Sequence, residues 1–289
     1  MKTIHNIKEM QQYCRDQRQS GKRIGFVPTM GALHEGHLRL VDEAKKHSDV
    51  VVVSIFVNPT QFGPNEDFEK YPRDLEADAA KLAPRGADVV FNPNASDMYP
   101  EDCLSTIHVR TITADLCGAH RPGHFDGVAL VVTKLFNIVG ECTAVFGRKD
   151  FQQLQVIKRF TADLNIPVQI IGMPTVREAD GLAMSSRNSY LSPDERKRAL
   201  AIARALTEAH ELFTKRSPLA TIEQYITEAV MQSFDTIDYV TVVHPETLQP
   251  LDGDASYPQT VLVAVAAKIG STRLIDNTVL GEDAPPINK

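Results

Sequence analysis

The sequence has no tryptophan, an aromatic content of only 7% and no surplus of positive charge, its formal net charge being −6. An acidic balance argues against a general nucleic-acid binder, which carries a basic excess; an anionic substrate would still need a local basic pocket. The four cysteines, Cys14, Cys103, Cys117 and Cys142, show no C-x-x-C spacing. That speaks against a disulfide framework or zinc knuckle and for reduced thiols in a cytoplasmic protein. Residues 1–20 are polar and lack an apolar h-region, so no signal peptide is expected. The longest apolar runs, at 50–57 and 261–267, are too short to cross a bilayer, and no membrane partner is expected. Repeats, heptad arrays and low-complexity segments are missing as well.

What is present suits a globular chain of two domains: 289 residues, 43% hydrophobic and 24% charged. β-Branched runs flanked by Gly, Pro or Asn predict strands at 23–28, 50–57, 87–92, 143–147 and 168–173. Helical periodicity predicts helices at 36–47, 73–83, 127–139 and 150–164 between or before them. Such alternation implies right-handed crossovers and an α/β fold with a doubly wound parallel sheet, Rossmann-like, over residues 1–174. Beyond 174 the pattern changes. Ser192-Pro193-Asp194-Glu195 reads as N-cap, first-turn proline and capping-box glutamate, opening a helix to about 215. A second helix at 221–234 and two strands, 238–243 and 260–268, follow, with a Pro/Gly/Asp-rich loop between the strands. Residues 175–289 are thus expected to form a smaller α+β domain that closes over the first.

Four segments can carry chemistry. The first runs from Pro28 to His37, with Met30, Gly31, Ala32, Leu33, His34, Glu35, Gly36 and His37 as its candidate ligands, after the first predicted strand and into a helix. Ligands of open α/β sheets gather there, where glycines admit a phosphate and helix N–H groups point at it. The helix dipole supplies only about 0.3–1 kcal/mol per charge, so a triphosphate needs further donors, and His34 and His37 are placed to provide them. The segment is neither G-x-G-x-x-G nor a Walker A loop, and its histidines are one residue too close for H-E-x-x-H. Two histidines that merely cap a helix are the bland alternative.

The second segment is Met184, Ser185, Ser186 and Arg187, read as a flexible loop suited to pyrophosphate, or as a solvated one. The third is Gly147, Arg148, Lys149 and Asp150, where a lysine can reach an α-phosphate or simply lie in solvent. The fourth runs from Asn58 to Phe62, where Asn58 and Gln61 can grip a polar substrate or simply make a turn. All four fall at, or just beyond, predicted carboxyl ends of strands. A doubly wound sheet brings those ends to one rim, and independent surface turns would not keep to it.

His34-Glu35-Gly36-His37 resembles the HxGH signature of the nucleotidylyltransferase superfamily, and residues 184–188 resemble its KMSKS-type loop. More narrowly, the chain resembles the pantoate–β-alanine ligase family through PTMGALHEGH (28–37), FVNPTQF (56–62), YPR (71–73), RPGHFDGV (121–128), FGRKDFQQL (146–154), READGLAMSSRNSYL (177–191) and STRLIDN (271–277). This resemblance implies AMP-forming condensation of (R)-pantoate with β-alanine, His37 as proton donor, and His34 and Lys149 beside it on the phosphates. It places ATP on residues 30–37 and 147–150, on Val176 and on residues 184–187, and pantoate on Gln61 and Gln153, with Gln61 also near β-alanine. Mg²⁺ is expected to arrive with ATP, and the assembly to be a homodimer. The acidic stretch 74–78 reads as a solvated helix face or an outer metal ligand, and residues 121–124 as a segment that faces the pocket or simply turns, left outside the site. A class I aminoacyl-tRNA synthetase is opposed by the short, acidic chain, which has no evident anticodon-binding region. A nucleotide sensor without chemistry is the rival from another class.

Overall fold

The computed structural model describes residues 1–64, 66–251 and 257–287. The chain divides into two compact units, one of Met1–Arg148 with Gln153–Met173, the other of Lys149–Gln152 with Pro174–Lys289.

In the first unit, strands β1 (Lys2–Ile4), β2 (Ile24–Thr29), β3 (Val50–Ile55), β4 (Val89–Phe91), β5 (Cys142–Gly147) and β6 (Val168–Met173) form one sheet. Their order is β1-β4-β3-β2-β5-β6 and every pairing is parallel. This is the doubly wound sheet expected from the alternation. Successive strands from β2 step outward in one direction, and β5 returns to the other side of β2, so the strand order reverses between β2 and β5. Crevices at such switch points hold the ligands of this architecture.

Helices α1 (Ile7–Gln19), α2 (Glu35–His47), α3 (Leu75–Leu82), α4 (Ala95–Met98), α5 (Cys117–His120), α6 (His124–Val139) and α7 (Phe151–Asp163) complete the layers. Every residue of β3 is buried, as a strand covered on both faces must be. Leu38, Val41 and Ala44 of α2 pack with Val27, Val51, Val53 and Val90. Phe136 of α6 meets Phe26, Phe146 and Phe160 edge-on or tilted, at 6.3–6.4 Å between ring centres. Cys14 and Cys142 lie in this interior, where burial raises their thiols to about 11 and about 12.

The N-terminal elements β1 and α1 carry no strong sequence pattern. β1 has three residues, and α1 buries only Met10 and Cys14 on an otherwise polar surface.

The second unit contains α8 (Pro193–Thr214), α9 (Leu219–Met231) and an antiparallel sheet in the order β7 (Thr236–Val243), β8 (Val261–Ile269), β9 (Thr272–Leu280). The expected capping box is present: Glu195 N donates to Ser192 Oγ at 3.3 Å, and Ser192 N donates to Glu195 Oε2 at 2.8 Å. Ile202 and Leu206 of α8, and Ile222, Ile226 and Val230 of α9, pack against Val261, Val263 and Val265. Part of the Gly/Asp-rich connection from β7 to β8, residues 252–256, lies outside the described residues. The third strand, β9, is additional to the two expected from the sequence. Its alternation is broken by Asp276 and Asn277, which are buried although polar.

Candidate active site

Between β2 and α2 the backbone enters the left-handed region twice in succession, at Gly31 (φ 85°) and Ala32 (φ 51°). Glycine is required at 31: a Cβ there would lie 3.0 Å from Asp78 Oδ2 and 3.1 Å from Ile55 Cγ2. Asp78, only 2% exposed, reaches over from α3 and accepts from Ala32 N with one carboxylate oxygen and from Leu33 N with the other, both at 2.8 Å. Lys81 donates to Leu33 O at 2.7 Å. The acidic stretch is therefore solvated only in part: Asp74 and Glu76 are exposed and Asp78 is buried. Asp74 caps α3 through Ala77 N, and Asp78 is the internal anchor of the glycine turn. Asp78 lies one turn before Leu82 on the buried face of α3, where an apolar side chain ordinarily stands.

His34 is the N-cap of α2. Its Nδ1 accepts from Gly36 N at 3.1 Å, and His37 Nδ1 accepts from His34 N at 3.3 Å. The rings lie 4.1 Å apart at 39°. A backbone N–H can only donate, so each Nδ1 is an acceptor and the proton of each neutral imidazole sits on Nε2. The cap thus sets the tautomer of both rings: Nδ1 accepts within the helix start and Nε2 carries the proton. The Glu35 carboxylate is held by Arg39 at 2.9 Å and Arg85 at 2.6 Å, so what Glu35 can offer an anion is its first-turn N–H.

After β3, Asn58 opens a short 3-10 turn, Pro59–Gln61. Asn58, 1% exposed, donates from Nδ2 to Gln61 Oε1 (3.0 Å) and Gly127 O (3.2 Å). Its Oδ1 accepts from Tyr99 Oη at 2.8 Å and from Thr60 Oγ1 at 3.0 Å. Both faces of its amide are thus used internally, and Asn58 is a brace for Gln61 rather than a group presented to substrate. Gln61, oriented by that contact, donates from Nε2 to Met30 Sδ at 3.2 Å, which ties this turn to the glycine turn. Gly127 on α6 makes room for it: a Cβ there would collide with the carbonyl of Thr60.

The segment 121–124, left outside the expected site, grips the same turn. Gln61 O accepts from His124 Nδ1 at 2.8 Å and from Arg121 Nη2 at 3.3 Å, while Arg121 Nη1 lies 2.9 Å from His124 Nε2. A carbonyl only accepts and a guanidinium only donates, so His124 is neutral with its proton on Nδ1, the opposite tautomer to His34 and His37. Glu66 takes Arg121 with both oxygens at 2.6 Å. Burial pushes the Glu66 carboxyl up, and the Arg121 guanidinium more than offsets this, leaving it below the usual glutamate range.

A carboxylate depressed in the folded state stabilises the fold above its unfolded value, near pH 4.3, and loses that contribution as pH falls through the lower folded value. Glu66→Gln should therefore be less stable than the wild type at neutral pH, with the gap in urea midpoint closing below about pH 4. A gap independent of pH would show that the ion pair contributes nothing.

The chain leaves β5 through Gly147, Arg148, Lys149 and Asp150. Lys149 Nζ lies 3.8 Å from Asp150 Oδ2, too long for a hydrogen-bonded pair, and a Cβ on Gly147 would meet nothing within 4 Å. Gln153, half-buried, stands in the first turn of α7. In the second unit, residues 176–184 form a tight hairpin: Met184 N donates to Val176 O (3.0 Å) and Glu178 N to Leu182 O (2.8 Å). Asn188 Nδ2 donates to Glu178 Oε1 and Ala183 O at 2.9 and 3.1 Å, and Arg196 pairs with Glu178 at 2.6 Å. The flexible loop expected at 184–187 is thus a braced one. Ser185 Oγ accepts from Arg187 N at 3.3 Å, which places Ser186 and Arg187 at the start of a short 3-10 helix (Ser186–Tyr190).

Within the first unit, then, Met30, the histidine pair and Gln61 stand on adjoining turns at the carboxyl edge of the sheet. Lys149 and the Ser185, Ser186 and Arg187 donors belong to the second unit. Among the described residues no group of three or more His, Cys, Asp or Glu side chains is arranged to hold a metal ion, and no helix is long and apolar enough to cross a membrane.

Residues 2–279 match the model of a family described as pantoate-beta-alanine ligase. The chain is 54% identical over 286 residues to the pantothenate synthetase of Trichlorobacter lovleyi, covering 98% of this chain and 99% of that one. To the pantothenate synthetase of Geobacter sulfurreducens it is 53% identical over 288 residues, covering 98% and 100%. Among solved structures it resembles pantothenate synthetase from Thermus thermophilus, with a TM-score of 0.90, 44% identity and coverage of 96% and 99%. It also resembles the pantoate-beta-alanine ligase of Francisella tularensis complexed with beta-gamma ATP and beta-alanine, with a TM-score of 0.79, 37% identity and 99% coverage of both chains.

Proposed function

The chain belongs to the pantoate–β-alanine ligase family, and from that premise we propose how its side chains divide the work. The enzyme condenses (R)-pantoate with β-alanine at the expense of ATP, through a pantoyl adenylate. A pantoate carboxylate oxygen attacks the α-phosphorus in line, the bond to the bridging oxygen breaks, and pyrophosphate leaves with that electron pair. The amine of β-alanine then attacks the acyl carbon, AMP departs with the C–O pair, and the nitrogen sheds a proton. No protein nucleophile takes part, so the protein's contribution is position and charge.

The observation that carries the assignment is the histidine pair. Both imidazoles have Nδ1 occupied by a backbone N–H at the start of α2, which fixes both Nε2–H groups as donors at the switch point of the sheet. In our reading His37 meets the oxygen that bridges to the leaving pyrophosphate and His34 an adjacent phosphate oxygen. Lys149 neutralises charge growing on the transferring phosphoryl group. Residues 30–37, with Gly147, Arg148, Lys149, Asp150, Val176, Met184, Ser185, Ser186 and Arg187, bind ATP. The space at Gly147 is not needed by packing and suits close approach of a phosphate. Gln61 and Gln153 take pantoate, Gln61 through an Nε2 oriented by Asn58. ATP enters as its Mg²⁺ complex, the ion carried on phosphate oxygens and water rather than in a protein cage. We place the enzyme in the cytoplasm, as a homodimer.

Exchange of labelled pyrophosphate into ATP should require pantoate, and AMP should appear stoichiometrically once β-alanine is added. Exchange supported by an amino acid and tRNA instead would point to a synthetase, and ATP binding without exchange to a sensor; either result overturns the reading.

A further inference from the structure

One buried chain of bonds in the second unit has no part in the roles above. Arg177 Nη1 and Nη2 donate to the two carboxylate oxygens of Asp276 at 2.7 and 2.9 Å. The same guanidinium donates to Gly181 O, in the turn of the 176–184 hairpin, at 3.0 Å, and to Asn277 O at 3.3 Å. Asp276 Oδ1 also accepts from Asn277 N at 2.8 Å, and Asn277 Nδ2 donates to Lys149 O at 2.7 Å. Asp276 is 5% exposed and Asn277 6%. One end of this chain holds the hairpin that presents Ser185, Ser186 and Arg187; the other holds the backbone of Lys149.

We infer that Arg177, Asp276 and Asn277 are positioning residues for adenylation, fixing the Lys149 ammonium against the Ser–Arg donors before ATP arrives. A planar, bidentate Arg–carboxylate pair resists both shear and rotation. Asn277 extends it by one hydrogen bond to the carbonyl of the very residue whose side chain carries the charge. Donors that need not reorganise are the ones that lower a barrier, and misplacement by an ångström costs about a hundredfold in rate. Lys149–Gln152 belong to the same compact unit as Asn277 and the hairpin. The inference rests on the reading that Lys149 serves a phosphate.

The test is a double-mutant cycle on pantoate-dependent pyrophosphate exchange in the full-length enzyme. Asn277→Ala should lower kcat about tenfold to a hundredfold, with the KM for pantoate little changed and the melting temperature lowered by no more than the loss of one hydrogen bond allows. In a Lys149→Ala background the same substitution should have no further effect, because the group it positions is gone. Should alanine prevent folding, the isosteric Asn277→Asp, which sets an acceptor against Lys149 O, should reproduce the loss and the non-additivity. Additive effects, or a wild-type rate in Asn277→Ala or Asn277→Asp, would overturn the inference. A wild-type rate in Lys149→Ala would instead overturn the reading beneath it.

Discussion

Lys149→Ala and His37→Ala should each lower the rate of pantoate-dependent pyrophosphate exchange about 10²–10³-fold, the effect of deleting one preorganised donor at a developing charge. For Lys149 the loss should fall on kcat more than on substrate KM, since charge on the transferring phosphoryl oxygens grows toward the transition state. His37 is less simple, because its Nδ1 also accepts from His34 N and its removal weakens the start of α2. Losing a cap costs about 1 kcal/mol, too little to unfold the unit but enough to blur the rate. His37→Asn separates the two: its Oδ1 can replace the acceptor while no donor remains at the Nε2 position. Stability should recover in that variant and exchange should stay slow. Recovery of both would mean that His37 serves only the helix, and near-normal turnover in folded Lys149→Ala would remove the lysine from the chemistry.

The strands and helices that position these groups are legible in the sequence because they are the strongly patterned ones. β3 opens on four consecutive valines, α2 repeats Leu38, Val41 and Ala44 on its buried face, and Ser192 with Glu195 marks the start of α8. Local pattern cannot see a polar residue whose partner is remote in sequence. Asp78 bonds residues 45 and 46 positions away, and Arg121 and His124 bond one 60 and 63 positions away. Asn58 stands out at a strand end for its type alone, and its partners Tyr99 and Gly127 turn a candidate ligand into a brace. β9 is hidden because the Arg177/Asp276 pair puts charge where alternation expects an apolar side chain. In each case the sequence displays the residue type, and only the fold says whether it faces a ligand or another part of the chain.

Asp78 therefore carries the second large prediction. Its carboxylate satisfies two backbone N–H groups of a turn whose φ angles at Gly31 and Ala32 are both positive. Ala32 has a Cβ, so its left-handed conformation needs support from its surroundings. Without the carboxylate, one buried and one part-buried donor lose their partner at about 1–3 kcal/mol each, and Asp78→Ala should destabilise the protein by about 3 kcal/mol or more. At about 2–4 °C per kcal/mol for a unit of this size, the melting transition should fall by about 6 °C at least. Asp78→Asn is the sharper test, for it fills the same space but offers one acceptor and one donor where two acceptors are needed. Its –NH2 would face a backbone N–H, so its stability should lie close to that of the alanine variant. Exchange should fall in both, because the turn that carries His34 and His37 is no longer held. If Asp78→Asn melts and turns over like the wild type, the turn is held by packing alone and Asp78 merely fills space.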